Sequence, residues 1–111
     1  MIIVDWNYLL YRDYPNVREL QTKGFDVIGA TWFEPENIAA FARSAHRSGA
    51  LGMLQTTWTR EHAGTDLLED EFPQFAAWVY AGDRFWNAGQ DEQPGRYDPG
   101  ERLRADLAGR R

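Results

Sequence analysis

The sequence predicts an α/β fold: three successive βα units on a parallel sheet. Three observations carry this. Trp6, Trp32 and Trp58 recur at a spacing of 26 residues. Each closes a short apolar run: MIIVDW, FDVIGATW and LGMLQTTW. A segment with helical features follows each run. A period in the twenties can signal a solenoid, but the intervening segments do not resemble one another, so the pattern is one of topology rather than repeated sequence. Ligands of α/β sheets and barrels bind at the C-terminal ends of parallel strands. Aromatic rings placed there point to a ligand with flat apolar faces, and a sugar fits.

The first strand is Ile2–Trp6, short, apolar and opened by β-branched residues. Asn7–Asn16 is a loop rich in aromatic and turn residues. Asn16 is placed to cap a short helix over Val17–Lys23, which Gly24 ends. Phe25–Trp32 is the second strand. Pro35 suits a helix start, and Ile38, Ala39, Phe41, Ala42 and Ala45 form the apolar stripe of a helix over Glu36–Ser48, closed by Gly49.

Ala50–Thr57 is the third strand and Thr59–Asp66 a polar loop. Glu69, Asp70 and Glu71 lead into a helix over Phe72–Trp86, where their charge suits its positive N-terminal dipole. From Asn87 the chain turns rich in Gly, Pro, Gln and Asp. The domain is therefore 1–89, and 90–111 reads as a polar, loosely ordered tail with room for one or two helical turns over Glu101–Leu107. Strands buried on both faces and joined by helices imply a parallel sheet with right-handed crossovers. A complete eightfold barrel takes roughly 250 residues, so this chain has the content of about three of its eight units. It is a small open sheet that oligomerises, or a piece of a larger fold.

Composition narrows the function. A net charge of −5 argues against a nucleic-acid partner, which needs a basic face. The absence of cysteine excludes disulfides and Cys-ligated zinc. No apolar stretch approaches the roughly 20 residues that span a bilayer, so no membrane partner is expected. No charged region precedes an apolar stretch at the N-terminus, which favours the cytoplasm. No cofactor or metal is called for: HExxH, Walker, GxGxxG and GxSxG patterns are absent.

The candidate substrate-binding residues sit at the strand ends: Asp5, Trp6, Tyr8, Trp32, Glu34, Thr57 and Trp58. Asp5 suits hydrogen bonding to sugar hydroxyls while Trp6 or Tyr8 packs on the ring; the plainer reading has Asp5 cap the loop and Trp6 fill the core. Adjacent strands lie about 4.8 Å apart, so Asp5 and Glu34 have a route to the roughly 5–5.5 Å separation of a retaining glycosidase pair, provided both point to one mouth. Otherwise Glu34 serves the following helix N-terminus. Thr57 and Gln55 bring polarity to the end of an apolar strand with Trp58 as a wall, or Thr caps the next turn. His46 lies between Arg43 and Arg47 as a surface histidine, and His62 lies in the polar loop.

The run GFDVIGATWFEPENIAAFARSA followed by GALGMLQTTW resembles the closing units of family 20 glycoside hydrolases, the β-N-acetylhexosaminidases and their bacterial relatives. The opening IIVDWNYLLYRDYPNVRELQTKGFDV looks like the unit before it, so the resemblance spans roughly Met1 to Gly89. It implies the last part of a (β/α)8 barrel and substrate-assisted chemistry in which a 2-acetamido group is the nucleophile. The family's adjacent Asp-Glu pair at a middle strand end is missing: Glu69-Asp70-Glu71 precedes a helix, and Asp91-Glu92 lies in the tail. Trp58 looks like the tryptophan of the family's final strand, and Asp5 and Tyr8 like its late-strand Asp and Tyr. Arg60 stands where the family has the Glu of W-x-E, and Trp32-Phe33-Glu34 has that spacing one strand early.

The resemblance thus implies a carbohydrate-binding remnant without a general acid, completed by further copies or by the missing part of a barrel. Two rivals stand beside it. One is a carbohydrate-binding or interaction module that oligomerises. The other is a PIN-like metal-dependent nuclease, which MIIVDWNYLL resembles at its opening strand. Such nucleases need several acidic groups converging from strand ends, and here the second strand end offers only Glu34 and the third none.

Overall fold

A computed structural model describes residues 1–59, 66–90 and 98–109. The order is β1 (Ile2–Trp6), α1 (Pro15–Thr22), β2 (Asp26–Thr31), α2 (Pro35–Arg47), β3 (Gly52–Gln55), α3 (Leu67–Asp70), α4 (Phe72–Trp86) and α5 (Pro99–Ala108). The three strands form one parallel sheet in the order β1-β2-β3. The expected α/β class, parallel pairing and alternation of strand and helix are all present.

Helix starts follow proline more than side-chain caps. Pro15, Pro35 and Pro73 each fall in a first turn, where a missing N–H costs nothing. Asn16 therefore lies inside α1 rather than capping it; Tyr14 holds the N-cap position without a side-chain bond. Gly24 and Gly49 close the first two helices at φ of +86° and +66°, the left-handed region open to glycine. β3 is shorter than Ala50–Thr57, although the Thr56 N–H still reaches the Thr31 carbonyl at 2.9 Å.

The outer strands β1 and β3 are not buried on both faces, which corrects the expectation for them, while the middle strand β2 is covered on both at Gly29, Ala30 and Thr31. Partners in a parallel register point to the same side. Val4, Ile28 and Gly52 therefore share a face with Trp6, Ala30 and Leu54, while Asp5, Gly29 and Met53 share the other. Consecutive right-handed crossovers put α1 and α2 on one side only. That covered side holds the main core of Tyr14, Val17, Val27, Phe41 and Ala45. On the other side Ile2, Val4, Trp6 and Leu54 are exposed.

α4 adds a second cluster, in which Ala77 and Ala81 pack on Ile38 beside Phe33, Tyr80 and Phe85. In the tail, α5 runs somewhat beyond the expected turns over Glu101–Leu107. Asp98 caps α5 by accepting from the Glu101 N–H at 2.8 Å, and the Arg104 guanidinium lies 4.4 Å from the centre of the Phe72 ring of α4. Residues 91–97, with Asp91-Glu92, and the loop holding Arg60, Glu61 and His62 lie outside the described residues. His46 is exposed on α2 as expected. Among the described residues no helix is long and apolar enough to cross a membrane.

Candidate functional site

The C-terminal strand ends gather an aromatic group around a polar frame. Tyr8, just beyond β1, lies with its ring 5.9 Å from Trp6 and 5.7 Å from Trp32, tilted to both. Trp32 meets Phe33 edge to face at 4.6 Å. Beyond β3, the Trp58 indole N–H donates to the Tyr8 hydroxyl at 2.7 Å. Thr57 accepts from the Trp78 indole N–H at 2.6 Å, which ties the same segment to α4.

Two glutamines set this geometry. Gln55, the last residue of β3, accepts from the Thr31 hydroxyl at 2.8 Å and donates to the Trp32 carbonyl at 2.6 Å. Gln74 comes from the first turns of α4 and is only 4% exposed. Its Oε1 accepts from the Trp32 indole at 2.6 Å and from the Trp58 N–H at 2.8 Å. Its Nε2 donates to the Trp58 carbonyl at 2.9 Å and to Glu71 at 2.7 Å. A buried amide must find such partners, and here they hold two tryptophans in place. The result is a cleft of about 290 Å³ lined by Trp32, Phe33, Trp58, Asp70, Glu71, Pro73 and Gln74.

Asp5 does not join that cleft. Its register with Gly29 and Met53 turns it to the helix-covered face. There it lines a separate cleft of about 410 Å³ with Asn7, Tyr11, Asp13, Tyr14, Pro15 and Asn16. Burial raises its carboxyl above the ordinary value of 3.8, against a smaller lowering by the hydrogen bond from Asn16. Its Oδ2 is buried without a partner among the described residues. Trp6 is 67% exposed on the open sheet face, so it does not fill the core. Glu34 stands exposed at the N-cap of α2 and makes no side-chain cap bond. The seven expected residues thus divide. Trp32 and Trp58 line the aromatic cleft, Tyr8 and Thr57 stand outside its lining and bond to the Trp58 and Trp78 indoles, Trp6 lies against Tyr8, Glu34 stands apart, and Asp5 belongs to another surface.

The loop carrying Asn7 and Tyr8 is pinned from below by α2. The buried Asn37 amide serves the carbonyls of Asn7 at 3.0 Å and Leu9 at 2.9 Å and the Tyr14 hydroxyl at 3.0 Å. Tyr14 stacks on Phe41 at 4.1 Å, and its N–H donates to the Ser44 hydroxyl at 3.1 Å. Ser44 in turn donates to Asp13 at 2.5 Å, the chief reason the Asp13 carboxyl is held below its ordinary value. Arg18 also pairs with Asp13.

Gln74, Phe33 and the cleft role of Asp70 and Glu71 escaped the sequence reading. One signal was available: an uncharged amide sits within the apolar run FPQFAAW, where a polar residue needs a structural reason. Among the described residues no group of three or more His, Asp or Glu side chains converges as metal ligands. Comparison with protein families, characterised proteins and solved structures found no match.

Proposed function

We propose that this chain binds a carbohydrate in the aromatic cleft at its strand ends, as a partial, glycoside hydrolase-like unit without a complete catalytic apparatus. The observation that carries the reading is the placement of Trp32, Phe33 and Trp58 around one cleft bordered by carboxylates. Sugar rings present C–H faces that pack on aromatic rings, and their hydroxyls take hydrogen bonds from a few fixed polar groups. The volume lies at the small end of ligand sites and suits one sugar unit rather than a chain. Asp5 lines a different cleft from the tryptophans, which supports binding without two-carboxylate hydrolysis.

The barrel origin is part of the same proposal. A barrel of βα units has helices outside and strand side chains packed inside. An open sheet face bearing Ile2, Val4, Trp6 and Leu54 suits such an interior. It also favours the oligomerising reading, with further copies in place of the missing units. The test is a titration of tryptophan fluorescence with monosaccharides, run on the native chain and on Trp58→Ala. Saturable quenching that the variant loses supports the proposal; no response to any hexose overturns it.

A further inference from the structure

The cleft is unusual in what its polar groups have left to offer. The Trp32 indole N–H is spent on Gln74 and the Trp58 indole N–H on Tyr8. Both Gln74 amide hydrogens are spent on the Trp58 carbonyl and on Glu71. Phe33 and Pro73 have no polar side-chain atom. Among the described residues, therefore, no lining side chain keeps a spare donor. Among the described side chains what remains is acceptor only: the exposed Asp70 carboxylate, and Glu71, whose Oε2 accepts from Gln74.

A site of aromatic faces and spare acceptors selects a ligand rich in donors. An ammonium group has three donors and no acceptor, carries the charge that two carboxylates favour, and is attracted to an indole face. An acetamide carries a carbonyl that needs a donor, and the described lining side chains offer none. We infer that the cleft prefers an amino sugar with a free, protonated amine over its N-acetylated form and over the neutral hexose. This rests on the carbohydrate reading above and names the sugar class for the same site.

The experiment is a set of fluorescence and NMR titrations of the native chain with glucosamine, N-acetylglucosamine and glucose, at low and high salt, repeated on Asp70→Asn. Tetramethylammonium chloride serves as a charge-only control. Glucosamine is expected to bind about threefold to tenfold more tightly than the other two at low salt, as rim ion pairs allow. High salt and Asp70→Asn are expected to narrow that gap, because exposed charges are screened. Equal binding of all three sugars, or tighter binding of N-acetylglucosamine, overturns the amine preference and leaves the carbohydrate reading standing. Binding of none of the three overturns both. Binding of tetramethylammonium without any sugar overturns both as well, since the cleft is then a plain cation cage.

Discussion

Trp58 and Tyr8 are 50 residues apart in sequence and 2.7 Å apart in space, indole N–H to phenol oxygen. The bond joins the segment after β3 to the loop after β1, over the end of β2. Thr56 extends it, with its hydroxyl 3.1 Å from the Tyr8 oxygen and 2.8 Å from the Thr31 carbonyl. A carbonyl only accepts, so the single Thr56 proton serves Thr31, and Tyr8 gives its own proton to Thr56. The two outer strands are thus closed over the middle one by a directed chain of hydrogen bonds.

Tyr8→Phe removes that link and leaves the ring. The expected loss is about 0.5–1.5 kcal/mol of stability, the net worth of an ordinary hydrogen bond. Trp58 is 58% exposed and loses its side-chain anchor, so its emission should shift further to the red. Urea unfolding and emission spectra of the two chains measure both effects. An unchanged Trp58 environment would mean that Gln74 alone positions it.

Gln74→Leu keeps the bulk and removes all four hydrogen bonds of the amide. The Trp32 indole and the Trp58 backbone lose partners in a part-buried setting. A cost of about 1–3 kcal/mol follows from stranding such groups, together with loss of sugar binding. Circular dichroism at a temperature where the variant remains folded, followed by sugar titration, separates the two consequences. Native affinity in a folded variant would show that the cleft does not depend on this frame.

Asp5 gives a pH dependence whose sign is fixed by its burial. Its carboxyl is raised above the ordinary value of 3.8, so the folded chain holds that proton more firmly than the unfolded chain does. Its contribution to stability is complete below 3.8 and is lost as pH climbs through the raised value. Asp5→Asn cannot ionise. The melting temperature of the variant, relative to the native chain, is therefore expected to rise from acidic to neutral pH. A difference flat with pH would mean that solvent reaches the carboxylate freely.

The open sheet face predicts association. Val4 and Leu54 are exposed on it with Trp6, and apolar patches of this kind mark interaction surfaces or aggregation sites. Val4→Lys with Leu54→Lys places charge there without touching the helix-covered core. Light scattering is expected to show a larger mass for the native chain than for the double variant at equal concentration. Equal monomeric masses would show that the face tolerates water unaided.

Much of the fold was legible because backbone signals are local. Pro35 and Gly49 bracket α2 in sequence as they do in space, and the β-branched run at Ile2–Val4 lies in a strand. What was not legible depends on direction and distance. An apolar run such as IIVDW reads the same whether one face or both are covered, so the exposed side of β1 left no local mark. Gly29 shows the same limit: its missing Cβ makes room for Phe41 and Met53, whose atoms would stand 3.0 and 2.8 Å from it. Asp5 stands beside Trp6 along the chain, yet strand alternation turns it to the opposite face of the sheet. The frame of the cleft comes from α4, and only tertiary contact brings Gln74 to Trp32, 42 residues away.

The strand order β1-β2-β3 has a consequence for how the molecule is made. Each strand pairs with its neighbour in sequence, and the helices pack on elements close to them along the chain, α1 and α2 on β2, and α4 on α2 and β3. No strand waits for a distant partner, so loop closure stays short at every step. A sheet of this kind can assemble as it leaves the ribosome, one unit at a time. α4 follows all three strands in the chain and brings Gln74 with it, so the ligand cleft takes shape only after the strands that carry its tryptophans.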